Sequence, residues 1–468
     1  MSVSPKDLPV VVIGAGPVGL AAAAQLAERG LEFVILEAGP SVAAAIDEWR
    51  HVKLFSPWRY DIDAAARRLL EQTDWIAPDL DQLPTGGDLI DAYLAPLAKT
   101  PQLGDRIKYG AQVVAVTRVG FDRVRTAGRE DAPFLVRLAD GEEVLAGAVI
   151  DAAGTWRRPN VLGGSGIPAR GEADVADAIS PALPDVLVRD RERFAGRRTA
   201  VVGAGHSAAT TLLELGELAA QEPGTEVLWV VRGADQARTY GGGTDDELPA
   251  RGALGLRLKK LVQSGRVELV SGFRIESLAR TADGRVELTA GDRTVVVDTV
   301  VNSTGFRPDH DIVGELRLDL DPILGSTRAL APLIDPNKHS CGTVPPHGVD
   351  ELQHPEPGYY AVGAKSYGRA PTFLLATGYE QARSVVAALA GDWEAARDVQ
   401  LNLPETGVCS SNLAYGDSAD ETAGGCCGPA PQPVTIGAPA GRGLATGISG
   451  GLLTVVEAKP ASQSSCCG

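Results

Sequence analysis

The chain has 468 residues, 44% hydrophobic and 22% charged, enough for two or three domains with cores of their own. Sixty acidic against 44 basic residues leave a net charge of −16, which argues against nucleic acid as a partner because phosphate contacts need clustered Lys and Arg. The apolar run 9–24 is broken by glycines and lacks a basic leader, and no other stretch nears the roughly 20 apolar residues of a membrane span. The expectation is therefore a cytoplasmic protein without membrane contact. There, six cysteines point to metal or redox chemistry before structural disulfides.

In chain order, the first element is a β-rich run, Val10 to Ile13, within "PVVVIGAGPVGLAAAAQLAERGLEFVILEAG". It feeds Gly14, Gly16 and Gly19, then a helix ending at Gly30, then a second strand that closes with Glu37. Strand, G-x-G-x-x-G, helix, strand and acid together form a dinucleotide fingerprint in its full context. Gly14 permits the tight turn, Gly16 lets backbone approach a pyrophosphate, and Gly19 lets helix and strand pack closely. The helix N-terminus offers unpaired N–H groups to phosphate, and Glu37 stands where a carboxylate accepts from ribose hydroxyls. Further on, "VIDAAGTWRRPN" couples an apolar strand to a small-residue turn at Gly154.

A second fingerprint follows in "RRTAVVGAGHSAATTLLELGELA", with a strand over 199–202, then Gly203, Gly205, Ser207, and Ala208 in place of the third glycine. Its next strand, "EVLWVVR", ends in Arg232 where the first unit has an acid. An arginine pairs with a 2′-phosphate that a carboxylate would repel, so this site reads as one for NADPH in preference to NADH. The segment "VVNSTGFRPDHD" repeats the strand-and-turn pattern at Gly305. Two fingerprints on one chain predict an α/β fold of two Rossmann-like three-layer domains, the second inserted into the first. The expected bounds are 1–165 and 301–395 for the first domain, 195–300 for the inserted NADPH domain and 396–468 for a flexible, Cys-containing tail.

The loop "DPNKHSCGTVPPHGVDELQHPEPG" carries His339, His347 and His354 around Cys341. Its Pro and Gly density predicts an ordered loop without helix or strand. Two readings stand: a substrate-facing loop in which Cys341 contacts a soft metal or exchanges electrons with a bound redox cofactor, and a proline-stiffened structural loop. In the Gly-, Ala- and Pro-rich tail, Cys409 can join the adjacent pair Cys426 and Cys427 in a three-sulfur site, and a second pair, Cys466 and Cys467, stands near the C-terminus. Adjacent cysteines bridge poorly to each other, but their thiolates suit soft, thiophilic ions.

Residues 1–395 resemble the two-dinucleotide-binding-domain flavoproteins, and within them the flavin-containing monooxygenase and Baeyer–Villiger branch. "EWRHVKLFSPWRY", "DAAGTW", "FAGRRTAVVGAGHSA" and "STGFRPD" carry the likeness beside the first fingerprint. Flavin monooxygenases associated with arsenic resistance are similar in "HSCGTVPPHG", "KSYGRAPTFLLATGYEQ" and the cysteine-rich tail. The resemblance implies FAD and NADPH as cofactors, Trp49 and the Lys53–Pro57 segment lining the flavin, and Val113 meeting the adenine through its backbone. It further implies a C4a-hydroperoxyflavin that delivers oxygen to a soft nucleophile such as a trivalent arsenical. The terminal cysteine pair resembles that of mercuric reductases.

Two departures stand out. The FxGxxxH fingerprint of the monooxygenase branch is absent before the second glycine motif. The aspartate that ends the late FAD motif of the disulfide-reductase branch is replaced by Ala364, and no CxxC or CxxxxC occurs in the chain. Two alternatives therefore remain beside a monooxygenase: a reductase relaying electrons through cysteine thiols, and a flavoprotein that only binds or senses soft metal. The expected partner is a small molecule, which includes a thiophilic metal or metalloid. The sequence leaves the oligomeric state open, a homodimer being one option.

Overall fold

The computed structural model describes residues 5–236, 239–241, 249–339 and 344–401. Two five-stranded parallel sheets organise them. The first contains β1 (Val10–Ile13), β2 (Phe33–Leu36), β3 (Ile107–Lys108), β7 (Ala148–Asp151) and β16 (Tyr359–Ala361), in the order β16-β7-β1-β2-β3. The second contains β8 (Ile179–Ser180), β9 (Arg198–Val202), β10 (Glu226–Val230), β11 (Glu268–Val270) and β15 (Thr299–Asn302), in the order β11-β10-β9-β15-β8. The β-branched runs Val10–Ile13 and Ala148–Asp151 are buried at every position, as strands covered on both faces must be.

Each sheet is sandwiched between helices and a three-stranded antiparallel meander. In the first domain α1 (Pro17–Glu28) lies on one face, together with a later helix, and α2 (Ala64–Leu70) packs on α1. The meander β4 (Val113–Arg118), β5 (Phe134–Leu138) and β6 (Glu143–Ala146) covers the other face through Val116, Phe134 and Val136. In the second domain α3 (His206–Gln221) and α4 (Pro249–Gln263) cover one face. The meander β12 (Ser277–Arg280), β13 (Val286–Ala290) and β14 (Arg293–Val297) covers the other. The later helix of the first domain is α5 (Leu375–Leu389), whose closest helical neighbour is α1.

Local chemistry explains the sharp ends of these elements. The alanine run 21–24 in α1 is fully buried, because small side chains let the helix lie close to the sheet. The helix stops at Gly30, which takes φ +66°. The Leu31 N–H then bonds the Leu26 carbonyl at 3.0 Å and the Gly30 N–H the Ala27 carbonyl at 3.1 Å, the paired bonds of a Schellman terminator.

The edge strands reveal how one domain sits inside the other. The first sheet takes its fifth strand from residues 359–361, after the second domain, and the second sheet takes its fifth from residues 179–180, before its glycine motif. The second sheet thus takes in residues 179–180 and, through β15, the chain as far as Asn302. A two-residue edge strand has too short a pattern to read from sequence.

The two chain crossings between the domains are pinned on Asn160. Its N–H donates to Gly305 O at 2.8 Å, its side-chain amide donates to Thr304 O at 3.1 Å, and its carbonyl accepts from Asn302 Nδ2 at 2.7 Å. The Arg307 guanidinium donates to Asn160 Oδ1 at 3.1 Å.

Candidate functional site: two glycine cradles and the crevice between them

At the first cradle the Gly14 backbone takes φ +96°, and its N–H bonds Leu36 O at 2.8 Å, tying the turn to β2. A Cβ on Gly14 would lie 3.0 Å from Ala152 O, and one on Gly19 would lie 2.0 Å from Gly14 O. Both positions therefore exclude side chains for reasons of packing. Gly16 is different: a Cβ there meets nothing within 4 Å. It borders open space at the head of α1, whose N-terminal N–H groups have no side-chain cap. An anion the size of a pyrophosphate fits that arrangement, because free N–H groups and the helix dipole both favour negative charge.

Glu37 follows β2 and accepts from Ala15 N and Gly39 N, each at 2.7 Å. Two bonds fix the carboxylate and leave acceptor capacity for ribose hydroxyls, since a carboxylate offers about four lone-pair sites. The Glu37 carbonyl also receives Ala111 N at 2.8 Å, which starts the path into β4, where Val113 is the buried first residue. Gly154 takes φ +68° in the turn after β7, with open space at its Cβ position.

The second cradle repeats this construction. Gly203 takes φ +139°, and a Cβ there would lie 2.0 Å from Ser303 O. Gly205 opens on free space at the head of α3, which again has no side-chain cap. Ser207 accepts from Thr211 Oγ1 at 2.9 Å, and Ala208 is fully buried in place of a third glycine. Arg232 stands exposed just beyond β10. Gly305 takes φ +91° at the return crossing, so it belongs to the hinge held by Asn160.

The segment 49–57 reaches the turns that follow β7 and β9, at the C-terminal ends of those strands, where open α/β sheets bind ligands. Trp49 and Trp156 have ring centroids 6.3 Å apart, and Trp156 and Phe306 are 4.8 Å apart. The Trp156 indole N–H donates to Glu48 Oε2 at 2.8 Å. Phe55 reaches the other domain: its ring lies 5.0 Å from that of His206, the first residue of α3. Lys53 is exposed and bridges to Thr85. The crevice thus has a nucleotide-type cradle on each side and an aromatic wall between them.

In its described part the histidine loop holds His347 and His354 in hydrogen bonds to the protein. It contains a short helical turn, Val349–Leu352, where the sequence predicted none. His347 is buried; its Nε2 accepts from Gln381 Nε2 at 3.0 Å, and Nδ1 faces Pro345 O at 3.0 Å. Gln381 Oε1 in turn accepts from Gly363 N at 2.8 Å, so the loop is tied to the late motif through α5. His354 Nδ1 accepts from Asp319 N at 3.2 Å. Burial holds both imidazoles below their usual range, His354 at about 4 with a smaller push from His310, which keeps them neutral hydrogen-bond fixtures. No group of three potential ligands suited to a metal occurs among the described residues. Cys341, Cys409, Cys426, Cys427, Cys466 and Cys467 lie outside the described residues.

Sequence reasoning missed two polar sites. At the late motif, Lys365 Nζ donates to Asp151 Oδ2 at 2.5 Å, and Tyr359 OH donates to the same oxygen at 3.0 Å. An acid closing the otherwise apolar strand "AVID" was the available signal. The second is Asp61, fully buried and hydrogen-bonded to Ser56.

Two Rossmann-like domains, one inserted in the other and each with an open glycine cradle, define a two-dinucleotide-binding-domain oxidoreductase. The sequence profile of the pyridine nucleotide-disulphide oxidoreductase family matches residues 11–340, and the chain belongs to that family. It is 26% identical over 386 residues to a ferredoxin–NADP reductase of Rhodospirillum rubrum, covering 81% of this chain and 90% of the relative. It is 30% identical over 207 residues to the rice indole-3-pyruvate monooxygenase YUCCA1, covering 44% of each. The bacillithiol disulfide reductase Bdr from Bacillus cereus superposes with a TM-score of 0.60 at 17% identity, over 82% of this chain and 99% of that one, a likeness of fold. The protein is a flavin-dependent oxidoreductase, and its cofactors are FAD and NADP(H). No helix among the described residues is long and apolar enough to cross a membrane.

Proposed function

We propose that this protein is an FAD- and NADPH-dependent monooxygenase that transfers oxygen to a soft nucleophile, a trivalent arsenical being the preferred case. The observation that carries the reading is the pairing of two complete cradles across one crevice in a chain that has no CxxC or CxxxxC pair. A dithiol beside the flavin is what a disulfide reductase would use; without it, a small acceptor entering the crevice is the simpler destination for electrons. FAD supplies the redox chemistry when bound.

The chain's own residues bind and orient. The backbone at Gly16 and the head of α1 hold the FAD pyrophosphate, Glu37 the ribose, and Val113 borders the adenine. Gly205 and the head of α3 hold the NADPH pyrophosphate, and Arg232 pairs with its 2′-phosphate. Trp49, Phe55 and Trp156 exclude water from the crevice. The tail cysteines collect the thiophilic substrate, as ligand softness favours. The acidic chain belongs in the cytoplasm on this reading.

The balanced reaction is NADPH, a proton, O₂ and arsenite giving NADP⁺, water and arsenate. The test is stoichiometry: FAD-loaded protein is expected to consume one NADPH and one O₂ per arsenate formed. Hydrogen peroxide in place of arsenate, with no effect of arsenite on O₂ uptake, overturns it. A second reading, a thiol-relay reductase through Cys341, draws on the family's description as disulphide oxidoreductases; Cys341→Ser then abolishes NADPH oxidation that the monooxygenase would retain.

A further inference from the structure

Asp61 ends the short helix Trp58–Asp61 and is fully buried. Its Oδ1 lies 2.8 Å from Ser56 Oγ, while its Oδ2 meets no donor among the described residues. The nearby Asp63 contrasts with it, since its carboxylate caps α2 by accepting from Ala66 N at 2.9 Å. A buried carboxylate oxygen without a donor is costly, whereas the carbonyl oxygen of a neutral acid is far less so. The geometry therefore favours the protonated acid with its O–H directed at Ser56. Burial pushes Asp61 up to about 7, with the Ser56 hydroxyl pulling it back.

The ionisable groups facing Asp61 are Asp63 on its own segment, Tyr93 from the turn Ile90–Leu94, and Tyr379 from α5, whose hydroxyl donates to Asp61 O at 2.7 Å. Burial holds both tyrosines well above their usual range, so neither ionises near neutrality.

Ser56 is the partner of this acid on the segment that reaches the second domain. It is half-buried, and its neighbour Phe55 is in ring contact with His206 at the head of α3. We propose that Asp61 stores the proton that turnover consumes and passes it through the Ser56 hydroxyl into the crevice. Oxidation of NADPH delivers a hydride, two electrons with one proton. A two-electron acceptor that ends as water, hydroxyl or thiol needs one further proton. The Ser56 O–H gives its proton to the acceptor as Asp61 Oδ1–H gives its own to Ser56 Oγ, leaving an Asp61 carboxylate that accepts from Ser56. The O–H bonds of Asp61 and Ser56 break, a new O–H forms on Ser56 and an O–H or S–H forms on the acceptor, no electron moves, and solvent reprotonates Asp61 between cycles. The inference rests on the FAD and NADPH reading of the crevice and not on the identity of the acceptor.

The test compares FAD-loaded wild type with Asp61→Asn, Ser56→Ala and Ser56→Thr. Infrared spectra are taken across pH, along with the pH profile of NADPH oxidation. The carbonyl band of a buried carboxylic acid is expected in wild type and S56A, titrating near neutrality, and is lost in D61N. D61N and S56A should each slow turnover by about 10²-fold and lose the ionisation near neutrality from the rate profile. S56T, which keeps a hydroxyl, restores both. If D61N with FAD bound keeps the wild-type rate and profile, or no acid band is found, the relay is overturned while the redox reading stands. If wild type itself does not oxidise NADPH, the redox reading fails and the relay falls with it.

Discussion

Lys365 and Asp151 form a fully buried ion pair at the edge of the first sheet, with Nζ 2.5 Å from Oδ2 and neither side chain more than 1% exposed. The Tyr359 hydroxyl donates to the same carboxylate oxygen. The pair joins the end of β7 to the late motif after β16, so it sets where the chain enters α5. Removing one partner leaves the other as an uncompensated buried charge. Lys365→Met is expected to destabilise the protein by about 3–5 kcal/mol in urea unfolding. Asp151→Asn combined with K365M should recover most of that loss. An additive double mutant would show that the pair is not coupled.

The glycine cradles separate packing from binding. Gly19→Ala forces a methyl carbon toward Gly14 O and should lower thermal stability and abolish FAD retention together. Gly16→Val points into open space, so the apo-protein should melt as wild type does while FAD affinity falls by about tenfold or more, on the order of 1.4 kcal/mol. Equal losses of stability in both variants would contradict the assignment of Gly16 to the pyrophosphate.

Cofactor choice should follow Arg232. Losing a charge-assisted bond to a 2′-phosphate costs about 1.5–3 kcal/mol. Arg232→Ala is therefore expected to cut the NADPH over NADH preference in kcat/KM by about 10- to 100-fold, measured as anaerobic flavin reduction. An unchanged ratio would remove Arg232 from the site.

Acid should loosen the histidine loop. A buried imidazole held below its free value makes the unfolded state the better proton binder below that value. The stabilisation from His347 and His354 is full above pH 6.5 and is lost as pH falls toward the His354 value of about 4. Each group contributes at most about 1.4 kcal/mol per pH unit in that window. Asp61 acts in the opposite sense, since its carboxyl is raised from 3.8 to about 7 and its contribution fades as pH rises through that range. Urea midpoints of His354→Gln against wild type from pH 7 to 4 measure the histidine part, and the variant should show the shallower slope.

The cradles were legible because their causes are local. A turn with positive φ, a close approach of helix to strand and an uncapped helix head each depend on a few consecutive residues, so Gly14, Gly16, Gly19, Gly203 and Gly205 announce themselves by spacing. Insertion of one domain in another was legible for the same reason, because two fingerprints occur in order along one chain. The histidine loop was left with two readings for the converse reason. Its residues suit a ligand site, but whether a histidine faces solvent or Gln381 depends on α5, which follows it in sequence and packs over it in space.

The sequence by itself thus determined the class of fold and the two glycine cradles with the residues that shape them. Only the tertiary structure decided which polar groups are buried together. Lys365 finds Asp151 across 214 positions, and Asn160 finds Thr304 across 144. Asp61 is near Ser56 in sequence, yet it becomes a proton store only because Tyr93 and Tyr379 close over it. Spacing along a chain records local geometry, whereas loss of water, which sets the energetics of these charges, is created by elements that meet only when the chain folds.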